Sequence, residues 1–300
     1  MRLSILYRGP LESCNYGCAY CPFAKRVDTR AQLATDRAAW ERFVDWVAAR
    51  PADDEIGVFV TPWGEALVRR WYGEGLARLS RLPQVARAAA QTNLSGRLDW
   101  LADADPARVG LWCTYHPEWT TRERFLARCR RLEAAGVSYS VGIVGFARFL
   151  DEARALRAAL PAHVYLWVNA VKRESESNQY DERAVADWEA IDPLFRYNVP
   201  SYPSRGRPCR AGHSAVTVDG DGTLRRCHFV PEPIGNIYEP GWEAALAPRA
   251  CPNETCRCHI GYVHLEYLEL DKLFGSGLLE RVPPALAWRS GQRSLPVVAG

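Results

Sequence analysis

Three thiols lie within eight residues in the segment Cys14-Asn15-Tyr16-Gly17-Cys18-Ala19-Tyr20-Cys21. The spacing is C-x3-C-x2-C, with an aromatic side chain directly before the last cysteine. A [4Fe–4S] cluster normally takes four thiolate ligands, and the next cysteine in the chain is Cys113. The spacing therefore indicates a cluster with one iron left open for a substrate or cofactor, as in reactive metal centres.

The composition is that of an ordinary globular protein. The 300 residues are 48% hydrophobic and 24% charged, which is enough to bury a sizeable core. The net charge of +3 predicts neither a nucleic acid nor a membrane surface as partner. Ten cysteines without an export signal predict a reducing cytoplasm. There, clustered cysteines are more often metal ligands or catalytic thiols than disulfides.

Apolar runs alternate with amphipathic helical patterns through the first two thirds of the chain. Strands are predicted at residues 3–7, 55–60, 85–91, 109–115, 139–144 and 163–170. Helices are predicted at residues 36–49, 67–81, 120–136, 149–159 and 183–189, the third with a capping box at Thr120 and Glu123. The alternation predicts an α/β fold of parallel strands joined by crossover helices. It does not distinguish a closed barrel from an open sheet.

The sequence changes in character near Pro193. Residues 198–208 contain three prolines and predict a linker. Beyond it, two short strands flank Asp219-Gly220-Asp221-Gly222, which is a strong hairpin signal. This cysteine-rich part has few apolar residues and is expected to need a metal. A helix is predicted at 265–274, followed by a loosely ordered tail.

The chain resembles the radical S-adenosylmethionine (SAM) superfamily, whose signature is C-x3-C-x-(aromatic)-C after the first strand of a partial TIM-type (β/α)6 barrel. Cys14, Cys18, Tyr20 and Cys21 match the signature position by position. The resemblance covers residues 1–195. It implies that the open iron binds the amino and carboxylate groups of S-adenosylmethionine. Reductive cleavage would then give a 5′-deoxyadenosyl radical that abstracts hydrogen from a substrate, with flavodoxin or ferredoxin as electron donor.

A zinc site completed by a distant histidine or cysteine is the alternative for these three cysteines. Zinc sites favour paired C-x2-C knuckles, one on each side of the ion. Here three ligands are packed together directly after a predicted strand. The arrangement therefore favours a cluster.

Two shorter motifs follow later strands and suit the same family. Trp63-Gly64-Glu65-Ala66 matches the family's Gly-Gly-Glu-Pro motif at its two central positions, which implies contact with the methionine ammonium group. The alternative is a turn in which Glu65 begins a helix and compensates its dipole. Thr92-Asn93 resembles a turn that lies near the cofactor in relatives. The expected cofactor-binding residues are Tyr20, Gly64, Glu65, Thr92 and Asn93.

The carboxyl ends of parallel strands usually carry the ligand-binding residues. His116, Asn169 and Lys172 follow predicted strands and are candidates to face the substrate; ordinary loop positions are the alternative. Cys113 is predicted to point into the barrel, where its thiol could donate a hydrogen atom. A buried cysteine can also pack as a small hydrophobe. His116 and Cys113 are the predicted catalytic residues.

A second constellation comprises Cys209, Cys227, Cys251, Cys256 and Cys258. With the hairpin turn and Gly235-Asn236-Ile237, it resembles the twitch or shortened SPASM extension, which binds one auxiliary [4Fe–4S] cluster. Four thiolates suffice for one cluster, so one cysteine is surplus, and Cys209 and Cys227 are the firmest ligands. A four-thiolate zinc site is the alternative. The nearby histidines that could contact the ligands are His213, His228 and His259.

The resulting prediction is a radical SAM enzyme with domains at 1–195 (barrel) and 196–275 (twitch/SPASM-like auxiliary cluster) and a tail at 276–300. Its substrate is a peptide or a small metabolite. Only thirteen residues precede Cys14, too few for a fused leader-binding domain. A peptide substrate would therefore need a separate recognition partner. The alternatives are a non-catalytic Fe–S electron carrier or scaffold and a zinc-stabilised binding module.

Overall fold

Six parallel strands from the first two thirds of the chain form one continuous sheet. The structure, a computed structural model, describes residues 1–24, 26–172 and 180–284. The strands are β1 (Arg2–Arg8), β2 (Glu55–Val60), β3 (Val85–Thr92), β4 (Val109–Thr114), β5 (Ser138–Val144) and β6 (Leu166–Asn169). Each pairs in parallel with the next, and β6 ends the sheet within the described residues. The prediction of an α/β fold with a partial barrel is confirmed.

Helices connect the strands on the outside of this sheet. They are α1 (Arg30–Ala48), α2 (Arg70–Ser80), α3 (Arg122–Ala134) and α4 (Leu150–Ala159), with α5 (Glu182–Glu189) after the last strand. The short helices α6 (Phe195–Asn198), α7 (His259–Tyr262) and α8 (Leu270–Phe274) come later in the chain. α1 begins earlier than predicted, because Thr29 and Gln32 form a capping box. α3 is capped by Thr121 instead of Thr120. No helix of the described residues is long and apolar enough to cross a bilayer.

The predicted hairpin extends the barrel sheet. Its first strand, β8 (Ala215–Asp219), pairs in parallel with β1 and antiparallel with β9 (Thr223–Arg225). β9 in turn pairs with β10 (Pro233–Asn236). A separate two-stranded pair joins β7 (Tyr202–Pro203) to β11 (Thr255–Cys256). The cysteine-rich region is therefore anchored on the barrel through β1.

The strands bury both of their faces. Leu3 and Ile5 of β1 pack with Trp40 and Phe43 of α1, so this face meets the helix layer. The opposite face forms a second apolar cluster that includes Trp112 and residues of α7 and α8. The cysteine-rich region and the chain that follows it thus fill the open barrel.

The tail predicted at residues 276–300 departs from expectation where the structure describes it. Glu280 is 1% exposed and Arg281 is 2% exposed. Residues 276–284, called the C-terminal segment below, therefore pack inside the barrel and are not a loose tail. Residues 285–300 lie outside the described residues.

Two glycines of the barrel make room for the C-terminal segment. A Cβ atom on Gly57 of β2 would lie 2.9 Å from a methyl carbon of Leu279. A Cβ atom on Gly110 of β4 would lie 2.9 Å from the side chain of Glu280. Both glycines lie near the beginnings of their strands, so the C-terminal segment forms the floor of the barrel, opposite the cysteine loop.

Candidate metal and cofactor site

The first three cysteines lie in the loop that follows β1. Cys18 is buried, Cys14 and Cys21 are half-buried, and none forms a disulfide. Asp28 anchors the loop, since its carboxylate accepts hydrogen bonds from the Ser13 backbone N–H (2.8 Å) and hydroxyl (2.7 Å). The triplet therefore lies at the carboxyl end of the first strand, where the sequence pattern predicts it.

The loop after β2 supports this cysteine loop directly. The Gly64 N–H donates to the Leu11 carbonyl oxygen at 2.9 Å, and the Glu65 N–H donates to that of Ser13 at 3.1 Å. A Cβ atom at position 64 would lie 2.1 Å from the Ser13 oxygen. Only glycine permits so close an approach of two backbones.

Glu65, in the motif that follows β2, binds the motif Thr92-Asn93 that follows β3. Its buried carboxylate accepts hydrogen bonds from the Thr92 hydroxyl (2.7 Å), the Asn93 N–H (2.6 Å) and the Leu67 N–H (3.1 Å). Burial raises the pKa of Glu65, and these three donors act in the opposite direction. A carboxylate offers about four acceptor positions, and these three donors occupy three of them.

Asn93 completes the connection to the cysteine loop. Its Nδ2 donates to Asn15 Oδ1 at 3.0 Å and lies 3.8 Å from the Cys14 sulfur. Asn15 in turn donates to the Ser95 hydroxyl at 2.9 Å. Four of the five predicted cofactor-binding residues, all except Tyr20, thus form one continuous network beside Cys14.

Tyr20 and His116 lie on the other side of the loop, beside Cys18. The Tyr20 hydroxyl is 2.8 Å from His116 Nδ1, and the Cys18 sulfur is 3.5 Å from the same nitrogen. Burial lowers the pKa of His116 to about 4, so its ring is neutral at physiological pH. The structure therefore places His116 against a predicted metal ligand and the signature tyrosine.

The donor chemistry of this loop fits an iron–sulfur cluster. Three free thiols in one loop are soft ligands of the kind that such clusters take. Burial raises the pKa of Cys14 to about 11 and also raises that of Cys18. Both thiols are therefore protonated at neutral pH without a metal, and binding would release their protons. In the described residues, no three His, Cys, Asp or Glu side chains are placed to hold a single metal ion.

Cys113 does not point into the barrel. It is fully buried in the cluster that contains Phe125 and Cys129 of α3, and burial raises the pKa of its thiol. Its neighbour on the same face, Tyr115, contacts the Phe125 ring at 5.1 Å between centroids. The structure therefore corrects the predicted orientation, and Cys113 packs as a small hydrophobe between sheet and helix.

The two other strand-end candidates have different surroundings. Asn169 is exposed, and its backbone oxygen accepts a hydrogen bond from Gly145. Lys172 donates from Nζ to the carbonyl oxygens of Pro200 (3.0 Å) and Arg257 (2.5 Å). Burial lowers the pKa of Lys172 to about 8. Lys172 thus joins the end of the barrel to the cysteine-rich region.

The other four later cysteines all lie near enough to Cys256 to act on its pKa. Burial raises the pKa of Cys227 to about 11 and that of Cys256 to about 12. In each case the neighbouring thiols raise it further, and for Cys256 these are all four other members of the group. A Cβ atom on Gly261 would lie 2.8 Å from the Cys256 sulfur, so α7 packs tightly on this group. One cluster would need four of these five thiols.

The three nearby histidines do not share one environment. His213 is exposed, and the His228 ring lies 3.7 Å from that of Phe229. His259 is buried and meets the Trp112 ring edge-on at 5.4 Å. His228 directly follows Cys227 and His259 directly follows Cys258, so two of the three adjoin a predicted ligand, and His259 lies inside the barrel.

The described fold is similar to solved structures of anSMEcpe. The native protein with bound AdoMet is 13% identical, with 81% of this chain and 83% of that chain covered and a TM-score of 0.50. Native anSMEcpe with bound AdoMet and Cp18Cys peptide is 12% identical, with 82% of both chains covered and a TM-score of 0.52. The match is to radical SAM enzymes with SPASM domains, and at these identities it shows the fold. No protein-family model and no curated protein matches the chain.

Sequence reasoning misses two parts of this region. Arg8 directly follows the predicted first strand, yet it is a buried cation at the carboxyl end of β1. The C-terminal segment carries Pro283-Pro284, which is typical of a loose end. No local signal identifies either, because their surroundings exist only in the folded chain.

Proposed function

We propose that this protein is a radical SAM enzyme with an auxiliary iron–sulfur cluster. The observation that carries the proposal is the position of Cys14, Cys18 and Cys21 in the loop after β1 of a partial barrel. Structures with the same fold contain bound AdoMet. When bound, a [4Fe–4S] cluster on these thiols would supply the electron for reductive cleavage of S-adenosylmethionine and hydrogen abstraction from a substrate.

The protein's own residues would hold and orient the cofactor. Gly64 and Glu65 present a backbone and a carboxylate beside Cys14, and Glu65 retains an acceptor position for the methionine ammonium group. Thr92 and Asn93 fix the direction of that carboxylate. On the opposite side, the neutral His116 ring and Tyr20 cover Cys18.

The later cysteines would hold the auxiliary cluster. The support is that each of the other four thiols lies near enough to Cys256 to raise its pKa. Reduced thiols are needed for both clusters, in keeping with the predicted cytoplasmic location. A flavodoxin or ferredoxin would supply the electron.

The proposed substrate is a peptide or a small metabolite. The support for a peptide is that one structure with the same fold, that of anSMEcpe, contains the Cp18Cys peptide.

Anaerobic reconstitution with iron and sulfide tests the proposal. The protein is expected to bind about eight irons in two clusters and to form 5′-deoxyadenosine from S-adenosylmethionine with dithionite. Cys18→Ala should abolish 5′-deoxyadenosine formation and leave about four irons. Cys129→Ala removes a buried thiol of α3 outside both groups and serves as the matched control. Iron without cofactor cleavage would indicate an electron carrier, and zinc without iron would overturn the proposal.

A further inference from the structure

Arg8 is a buried cation with unused hydrogen-bonding capacity. It points to the interior of the barrel, because Leu3, Ile5 and Tyr7 on the alternate face of β1 pack against the helices. Arg8 is 7% exposed, and its Nη1 donates to the Thr61 carbonyl oxygen at 2.5 Å. Within the described residues, its Nε has no hydrogen-bond partner. The edge formed by Nε and Nη2 therefore remains available.

Arg8 lies beside the first cysteine loop. Its guanidinium carbon lies 3.9 Å from the centroid of the Trp63 ring and 5.8 Å from that of Phe23, which belongs to the first cysteine loop. Burial lowers the pKa of Arg8 to about 10, and the thiols of Cys258 and Cys227 act in the opposite direction. The guanidinium thus lies against the aromatic side chains beside the first loop.

The acidic group nearest to Arg8 along the sheet is already paired. Asp219 lies opposite Arg8 in the register of β1 and β8. Its carboxylate forms an ion pair with Arg225 at 2.8 Å. No ion pair of Arg8 occurs in the part of the chain that the structure describes. Burial of an unpaired charge is costly, so a ligand that neutralises it is expected.

A second buried cation lies deeper in the barrel. The guanidinium of Arg281 lies 4.7 Å from the Trp167 ring centroid, and its Nε and Nη1 have no partner among the described residues. Arg281 belongs to the C-terminal segment at the barrel floor, whereas Arg8 ends β1 at the opposite end. Lys172, beyond the end of β6, already donates from Nζ to the carbonyl oxygens of Pro200 and Arg257.

We propose that Arg8 binds a carboxylate group of the substrate beside the first cysteine loop. The proposal rests on the proposed function, because it names a substrate class for that same site. The Nε and Nη2 edge of a guanidinium matches a carboxylate in a bidentate pair. Trp63 and Phe23 are 39% and 42% exposed and provide an apolar wall for the rest of the ligand.

The carboxylate has two possible sources, a small metabolite or an acidic residue of a peptide. Matched acid and amide pairs distinguish them by saturation-transfer NMR on the reconstituted protein, without reductant. The metabolite pair is benzoate and benzamide. The peptide pair is N-acetylglutamate α-amide and N-acetylglutamine α-amide. Because no cofactor cleavage is measured, the result is independent of the proposed reaction.

At least one acid is expected to bind about tenfold more tightly than its amide to the wild-type protein. Arg8→Gln should abolish this preference, and Arg8→Lys should retain part of it. Arg225→Gln, which removes a paired arginine beside the same strands, should leave the preference unchanged. Circular dichroism checks that each variant is folded.

Several outcomes would overturn the proposal. If the wild-type protein bound acid and amide equally in both ligand pairs, Arg8 would not be a carboxylate-binding residue. A preference that persists in Arg8→Gln would place the anion elsewhere. Displacement of the bound acid by S-adenosylmethionine would assign Arg8 to the cofactor's own carboxylate.

Discussion

Gly64 lies so close to Ser13 that a Cβ atom at position 64 would be 2.1 Å from the Ser13 carbonyl oxygen. Two hydrogen bonds between backbones hold the segments in this position. The loop after β2 therefore acts as a support for the loop that carries Cys14. Any side chain at position 64 must displace one of the two.

Gly64→Ala is expected to remove the first cluster. The added methyl group would push the Ser13 backbone away and separate Cys14 from its two partners. Iron content after reconstitution should fall from about eight to about four per chain, and 5′-deoxyadenosine formation should be lost. Gly235→Ala is the control, because a Cβ atom there would meet its nearest neighbour at 3.6 Å. Full iron content in Gly64→Ala would contradict the supporting role.

Gly261→Ala is expected to affect the second cysteine group in the same way. Its Cβ atom would lie 2.8 Å from the Cys256 sulfur and 3.2 Å from the Phe229 ring. Iron should again fall to about four per chain, but the iron on the first cysteine group should remain. Electron paramagnetic resonance of the reduced protein can distinguish the two losses. Retention of both clusters would identify Cys256 as the surplus cysteine.

Glu65→Gln tests the network that joins the two short motifs. The carboxylate accepts hydrogen bonds on both oxygens, from Thr92 and Leu67 on one and from Asn93 on the other. An amide group would turn its NH₂ towards one of these donors and leave a buried N–H or hydroxyl unpaired. The free energy of unfolding should fall by about 1–3 kcal/mol, measured by urea denaturation.

The control for this change is Glu74→Gln. Glu74 forms an exposed ion pair with Arg70 on one helix, and its loss should cost only about 0.3–0.5 kcal/mol. Similar losses for the two variants would show that the Glu65 network contributes no more than a surface pair.

Glu280, at the barrel floor, is expected to make the stability of the protein depend on pH. Burial raises its pKa, although Arg87 lies 3.4 Å away and acts in the opposite direction. The folded-state pKa therefore lies above the unfolded value of about 4.3. The stabilisation from the protonated group is complete below that value and is lost as the pH rises through the folded-state pKa.

Glu280→Gln removes this titration, since glutamine resembles the protonated acid. The melting temperature of the variant relative to the wild type should therefore increase as the pH rises above about 4.3. Calorimetry across this range measures the difference. Glu41→Gln, at an exposed ion pair with Arg37, should show no such trend. A constant difference for Glu280→Gln would argue against a raised pKa.

The cysteine loop can be predicted from sequence because its ligands are neighbours in the chain. The same holds for the β–α alternation and for the hairpin turn at Asp219-Gly220-Asp221-Gly222. The sheet partner of that hairpin cannot be found locally. β8 pairs with β1, at the other end of the chain, and both strands consist of ordinary apolar residues.

Cys113 shows a second limit of sequence patterns. Both faces of a central parallel strand are buried, so alternation separates two sets of residues without saying which set faces the helices. Leu111 and Cys113 face α3, whereas Trp112 faces the barrel. The orientation is decided by the helix that packs on the strand, which a cysteine's own neighbours do not reveal.

The C-terminal segment affects how this protein folds during its synthesis. Leu279 and Glu280 occupy space that Gly57 and Gly110 leave empty, and the ribosome adds them after all six barrel strands. A nascent chain therefore completes the strands while the floor of its core is still missing and β1 still lacks its partner β8. Domains generally form from the N-terminus during synthesis, but the core of this barrel is complete only after Leu279 and Glu280 have been added. A fragment of residues 1–195 is accordingly expected to remain dependent on chaperones.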